Sequence, residues 1–354
     1  MTLHLFNPEH DLALAFNHSR FTAPHVARQL HSDFGFIPSL WADTGDVVLV
    51  DDKDVALRAY NNIKCKVNLP DVHFVTPYEI SSLYINKVEP WGWDKSLNYQ
   101  IRQLGIEGMG DESLATIRQL SSRQTAVNIL PQLIGKLTGV CGESRFCTRY
   151  EEIEECLYKW KHIVLKMPWC SSGRGLRFVD LSICAQLQGW IKNVLAIQYG
   201  LAVEPYYNKV KDFGMEFESD GMGKIEYLGL SLFNTENGAY TGNIIATEHT
   251  KMKSISRYIS TELLNRIKVE IKEIMSPVLK GKYCGVFGVD MMIVTGEHNE
   301  GFLLHPCVEI NLRKTMGYAA LALTPADDEI MYQMHTEYSE GKFKLKVNTY
   351  KSKI

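Results

Sequence analysis

The stretch that decides the fold is Gly285-Val-Phe-Gly-Val-Asp290-Met-Met-Ile-Val294. It reads as an almost wholly apolar strand with a single acid in it. Past a loop at 295–301 the chain continues Phe302-Leu-Leu-His-Pro-Cys-Val-Glu309-Ile-Asn311-Leu-Arg313. Side chains alternate along a strand, so Glu309, Asn311 and Arg313 share one face while Val308, Ile310 and Leu312 fill the other. Folding this hairpin about its loop brings Asp290 near Glu309. A carboxylate buried in an apolar strand must be paired or bound to metal. Two carboxylates and an amide oxygen form a hard-oxygen site of the kind that takes Mg2+ together with nucleotide phosphates. A solvated polar face on an amphipathic strand would account for Glu309, Asn311 and Arg313, but not for Asp290.

Working upstream, His162-Ile-Val-Leu-Lys166-Met-Pro-Trp-Cys-Ser171-Ser172-Gly173-Arg174-Gly175 is an apolar strand that carries a lysine near its end and enters a Ser/Gly-rich loop. A second strand follows. Backbone N–H groups of such a loop can converge on phosphate oxygens, with the lysine as a point charge. A tight hairpin with an edge lysine explains the same residues. No GK[ST] is present, so this is not a Walker A loop. In Ala202-Val-Glu204-Pro205-Tyr206-Tyr-Asn208 the glutamate ends a strand and the proline stops its ladder. Backbone groups leaving a sheet there suit an adenine edge, and Asp212 just beyond suits a ribose hydroxyl. Surface acids at a strand end are the alternative.

At the N-terminus Leu3–Phe6 reads as a strand, followed by the polar loop Asn7-Pro8-Glu9-His10-Asp11 and a helix. A second strand, Val47–Val50, ends at Asp51-Asp52. This rhythm implies a parallel α/β unit. Ligands gather at the carboxyl ends of such strands, so both acidic loops are candidate rims, or simply a helix-capping loop and a turn. Residues 91–120 read as helical and linker-like. A helix starts at Ser121-Ser122-Arg123 and ends near Leu130, because Pro131 disfavours continuation. A strand, helix and hairpin cover 135–180, a helix 182–196, and strands Ala202–Tyr206, Phe213–Glu218 and Tyr227–Phe233. The polar segment 231–243, with two glycines, reads as a mobile loop where acceptor contacts could be made. An amphipathic helix spans Ile259 to Leu279. The basic stretch Lys342–Lys353 reads as a solvated tail.

At 354 residues two or three packed units are expected. A hydrophobic content of 45% with 22% charged residues is that of a globular protein. A net charge of -3 gives no basic field for nucleic acid. No apolar run is long enough for a transmembrane helix, and the N-terminus lacks a signal peptide's apolar core. The eight cysteines have no zinc-like spacing and suit a reducing compartment. A cytoplasmic location is expected. Five of the eleven histidines lie in the first 31 residues, irregularly spaced and without an HExxH motif.

The order of these segments resembles the ATP-grasp superfamily, to which D-alanine–D-alanine ligase, glutathione synthetase and biotin carboxylase belong. The resemblance covers about 120–317. It implies an α/β and α+β chain: a Rossmann-like pre-ATP-grasp domain at 1–120, a small lobe at 121–201, a large lobe with antiparallel sheet at 202–345, and a basic tail at 346–354. By motif, Lys166 contacts ATP, and Ser171, Ser172 and Gly173 cover the phosphates. Glu204, Pro205 and Tyr206 form the adenine linker. Asp212 stands for the ribose-binding acid, one residue beyond the family spacing. Arg123 takes the place of an upstream lysine. Asp290, Glu309 and Asn311 resemble magnesium ligands, and Arg313 follows the E-x-N-x-R form of carboxylase-like members. The implied cofactors are ATP and Mg2+. The implied reaction makes an acyl phosphate from a small-molecule or peptide carboxylate, and a nucleophile displaces the phosphate. The alternatives are a kinase acting on a non-carboxylate acceptor, and a non-catalytic nucleotide-binding protein. Members of the family are often homodimers.

Overall fold

A computed structural model describes residues 1–170, 175–236, 239–296 and 301–350. The N-terminal strands are short and apolar, and they build a parallel sheet. Its strands are β1 (Thr2–Leu5), β2 (Val47–Leu49), β3 (His73–Val75) and β4 (Lys87–Pro90), in the order β3-β2-β1-β4. Helices α1 (His10–Phe16), α2 (His25–Phe34), α3 (Lys53–Lys64) and α4 (Lys95–Gln103) accompany it. Asp52 caps α3, accepting from the N–H groups of Asp54 and Val55, so the second acidic loop is a helix cap. Because β1 and β4 are parallel neighbours with Leu5 opposite Pro90, the loops that follow them lie side by side.

After α5 (Asp111–Leu120), α6 (Arg123–Ile134) starts at its Ser122 cap. It runs through Pro131 and does not stop before it. An internal proline forfeits one helix bond. Here Ile129, Leu130 and Leu133 are all buried in the main core on both sides of that break, which holds the last turn in place. The small antiparallel sheet comprises β5 (Arg145–Cys147), β6 (His162–Lys166), β7 (Leu176–Asp180) and β8 (Leu201–Pro205), in the order β5-β8-β6-β7. Helices α7 (Tyr150–Trp160) and α8 (Ala185–Gln198) pack on it.

The large sheet has seven antiparallel strands: β9 (Lys209–Asp220), β10 (Ile225–Glu236), β11 (Ala239–Ile245), β12 (Cys284–Thr295), β13 (Phe302–Asn311), β14 (Tyr332–Ser339) and β15 (Lys342–Thr349). Segment 231–243 is therefore mostly strand, in β10 and β11. The stretch expected as a solvated tail is strand from Lys342 to Thr349, and 346–349 belong to it. Phe343, Leu345 and Val347 alternate with lysines and pack into the core beside α2 and α3. Besides α9 (Glu248–Ile255), the helix α10 (Thr261–Leu279) starts at its Ser260 cap. It buries Leu264, Ile267, Ile271 and Met275, at helical spacing, against Phe213, Phe217 and Phe287 of the sheet. Each such side chain is stabilised by about 2 kcal/mol on leaving water. That layer occupies one face of the sheet. The opposite face carries Asp212, Glu216, Asp290, Glu309 and Asn311, with α11 (Met316–Leu321) packed over part of it.

Candidate functional site

The β12–β13 hairpin pairs Asp290 directly with Glu309, and the register shifts just beyond Asp290. Ile310 and Leu312 are buried while Glu309, Asn311 and Arg313 stay on the open face. Asp290 is only half-buried and lies on that same face, not inside the apolar layer of Val289 and Met291. Enclosure by protein, and then the neighbouring Glu309, push its pKa up to about 7, against Arg313 and the Asn311 hydrogen bond. Asn311 Nδ2 donates to Asp290 Oδ2 at 3.1 Å, and its Oδ1 accepts from Arg313 Nη2 at 3.1 Å.

Two arginines flank the carboxylates. Arg123, in the first turn of α6 and 8% exposed, places Nη2 2.9 Å from Glu309 Oε1. Its Nε donates to the carbonyl of Met167 at 3.0 Å, tying the end of β6 to the hairpin. Burial lowers the Arg123 pKa, but Glu309, Cys170 and Glu204 together more than restore it and the group is held charged. Arg313 makes a bidentate pair with Asp11, Nε–Oδ1 3.0 Å and Nη2–Oδ2 2.9 Å. Burial raises the Asp11 pKa, yet the Arg313 guanidinium brings it below the ordinary carboxylate value. This contact exists because the chain after β13 docks on the end of β4: Lys314 N donates to Trp91 O at 2.9 Å and Nζ to Pro90 O at 3.2 Å. A small crevice there is lined by His10, Asp11, Cys170, Glu309, Asn311 and Arg313, among others.

Lys166 and Glu204 form a second unit. Their strands are paired antiparallel, and Lys166 Nζ lies 2.6 Å from Glu204 Oε2 with both side chains buried. Pro205 ends β8. The Tyr206 N–H, expected to face a ligand, donates to the His162 carbonyl at 2.9 Å. The Tyr206 ring is exposed and meets Phe178 edge-on. Asp212 accepts from Lys209 Nζ and Thr235 Oγ1, each at 2.6 Å. It lines a cleft of about 500 Å³ between Phe178 of the small sheet and Lys211, Phe233 and Asn234 of the large one. Ser171, Ser172 and Gly173 lie outside the described residues.

The hairpin residues and Arg123 thus meet in one network, Lys166 with Glu204 in another, and Asp212 stands in the cleft. Glu204 also acts electrostatically on Arg123, so the first two units are neighbours. Asp11, Lys211 and Thr235 were not singled out from the sequence, although the segment Asn7–Asp11 was; its expected loop stops at Glu9, and His10 and Asp11 form the first turn of α1. Among the described residues no three His, Cys, Asp or Glu side chains cluster as a metal site. The oxygen set is two carboxylates and one amide. No described helix is long and apolar enough to cross a membrane.

No protein-family model and no curated protein matches the chain. Solved structures do. A protein from Archaeoglobus fulgidus assigned to the ATP-grasp superfamily is 13% identical, with 99% of this chain and 100% of that one covered and a TM-score of 0.50. N5-carboxyaminoimidazole synthetase from Staphylococcus aureus, solved with ADP, is 12% identical over 96% of this chain and 83% of that one, TM-score 0.49. The biotin carboxylase domain of Hydrogenobacter thermophilus 2-oxoglutarate carboxylase, solved as a dimer with MgADP, ADP and bicarbonate, is 13% identical over 83% and 75%, TM-score 0.47. With its parallel N-terminal sheet and its two antiparallel sheets meeting at a cleft, the chain has the fold of the ATP-grasp superfamily.

Proposed function

We propose that this chain is an Mg-ATP-dependent ligase: it converts a carboxylate to an acyl phosphate and passes the acyl group to an amine or other nucleophile, releasing ADP and phosphate. The observation that carries the reading is the cross-strand pair Asp290–Glu309 with Asn311 beside it and Arg123 and Arg313 on either side.

The donor set fits Mg2+. Its ligands are hard oxygens, and the Asp290 pKa is raised first by burial and then by the neighbouring Glu309 carboxylate, a repulsion that a cation would relieve. Mg2+ bound there by Asp290, Glu309 and Asn311 would supply charge neutralisation at phosphate oxygens. The chain's own residues do the rest. Lys166 holds the phosphates and Glu204 orients it. Pro205 and Tyr206 form the adenine side, and Asp212 meets the ribose in the cleft. Arg313, aimed by Asp11, stabilises the negative charge that develops on the acyl phosphate. Phosphoryl transfer of this type needs positioning and charge compensation more than proton transfer.

Calorimetric titration with ATP, with and without Mg2+, tests the site. Wild type should bind with Mg2+, and Asp290→Asn should weaken that binding by about tenfold or more, or about 1.4 kcal/mol. Glu309→Gln should lose carboxylate-dependent ADP release, with a loss of stability because Arg123 gives up its counter-charge. Unchanged turnover in that variant would remove the metal assignment. A stable phosphorylated product in place of free phosphate would make the chain a kinase.

A further inference from the structure

The acyl acceptor must lose a proton, and nothing assigned so far takes it. His10 is 1% exposed. Its Nδ1 lies 3.0 Å from Asp94 Oδ2. An ionised carboxylate can only accept, so Nδ1 carries the hydrogen, and in the neutral ring Nε2 keeps the lone pair. Nε2 is buried and has no hydrogen-bond partner among the described residues.

The surrounding groups fix this arrangement. Asp94 is itself held: Oδ1 accepts from the Leu97 N–H at 2.9 Å as the cap of α4, and Oδ2 accepts from Asn7 Nδ2 at 3.2 Å. Asn7 also donates to the Gly92 carbonyl at 2.8 Å and accepts the Gly92 N–H at 3.2 Å. The ring lies so close to Gly92 that a Cβ there would stand 2.6 Å from Cδ2 and 2.7 Å from Nε2. Only glycine leaves the ring its place. His10 lines the same crevice as Asp11, Glu309 and Arg313, which shares no lining residue with the cleft beside Asp212.

We infer that His10, oriented by Asp94, is the base that receives the proton of the acyl acceptor, which is therefore an N–H or O–H nucleophile entering beside the Asp11–Arg313 pair. The inference rests on the ligase reading above. In the step, the nucleophile's nitrogen bonds to the acyl carbon and the carbon–oxygen bond to phosphate breaks. A primary amine arriving as its ammonium gives one proton to His10 Nε2 before it attacks; the electron pair of the broken bond leaves with phosphate, which takes up the second nitrogen proton. Asp94 then balances the imidazolium, which is the division of roles in a base and its orienting acid.

The test uses the whole chain with Mg-ATP, a panel of amino acids and simple carboxylates, and two kinds of acceptor. Hydroxylamine reaches the site as the free base and traps acyl phosphate directly. Primary amines arrive protonated and depend on a base. In His10→Asn the amide nitrogen can replace Nδ1 toward Asp94 while Nε2 is gone. In Asp94→Asn the helix cap survives, but the amide can donate to Nδ1 and drive the hydrogen to Nε2. Both variants should bind Mg-ATP as wild type does and form hydroxamate within about threefold of wild type, while amine transfer falls by about 100-fold or more. Equal loss with both acceptors, or hydroxamate formation without any His10-dependent amine transfer, overturns the base role. No hydroxamate from wild type with any carboxylate instead sinks the ligase reading and the base role with it. Independently of either variant's folding, the 15N ring shifts of wild-type His10 should show Nε2 unprotonated in the neutral ring. A proton on Nε2 overturns the inference.

Discussion

Glu216 offers the sharpest energetic test of the buried polar face. It sits on β9, 3% exposed, paired opposite Gly288 and Gly229. Oε1 accepts from Thr315 Oγ1 at 2.6 Å, and Thr315 in turn caps α11 through the Tyr318 N–H at 3.0 Å. Oε2 has no partner among the described residues. Burial pushes its pKa up to about 8 against the Thr315 bond, with Asp290 adding to the rise. The acid is thus mostly protonated at neutral pH in the folded chain and ionised in the unfolded one. Between the ordinary value of 4.5 and about 8 the folded state binds the extra proton, so stability falls as pH rises through that window. At about 1.4 kcal/mol per unit, the loss is at most about 5 kcal/mol. Glu216→Gln mimics the protonated form at all pH values and keeps the acceptor for Thr315. Urea unfolding of both proteins between pH 5 and 9 should show the variant gaining steadily on wild type as pH rises, then levelling off. Parallel profiles would refute the assignment of a neutral buried acid.

Two further outcomes follow from packing and charge. Glu204→Gln leaves Lys166 buried without its counter-charge, and breaking such a pair costs about 3–5 kcal/mol. Thermal unfolding should fall accordingly, and adding Lys166→Met should recover part of it; a double variant no better than the single would contradict the pairing. Gly317→Ala would put a Cβ 2.2 Å from Glu216 Oε1 and 2.4 Å from Ser231 Oγ. Such overpacking costs about 1–3 kcal/mol, and the loss should shrink when combined with Glu216→Ala; an additive pair in denaturant unfolding would place the clash elsewhere.

Features carried by a local period were legible. The alternation through Glu309, Asn311 and Arg313 implied a strand with one polar face, and the structure has it. The apolar run around Asp290 implied its hairpin partner. The same period was present in Lys342–Thr349 but was masked by charge: the lysines alternate with Phe343, Leu345 and Val347, so one face is basic and the other is core. Pro131 misled in the opposite direction. A local backbone preference pointed to a helix end, and burial of Leu133 in the core outweighed it. The Tyr206 N–H looked free because the strand ended at Pro205, yet the neighbouring strand supplied the His162 carbonyl.

What the sequence determined by itself was the sign and chemistry of each segment: an acid in an apolar strand, a lysine at a strand end, a histidine and an aspartate side by side in one short polar segment. These depend on neighbours a few residues away. What only the tertiary structure decided was which groups meet. Asp11 finds Arg313 across 302 positions and His10 finds Asp94 across 84. Both contacts follow from strand order, since β4 lies beside β1 and the end of β13 docks on β4. Protonation followed the same rule: the shifts at Asp290 and Glu216 come from burial and from charges on adjacent strands, which no local pattern contains.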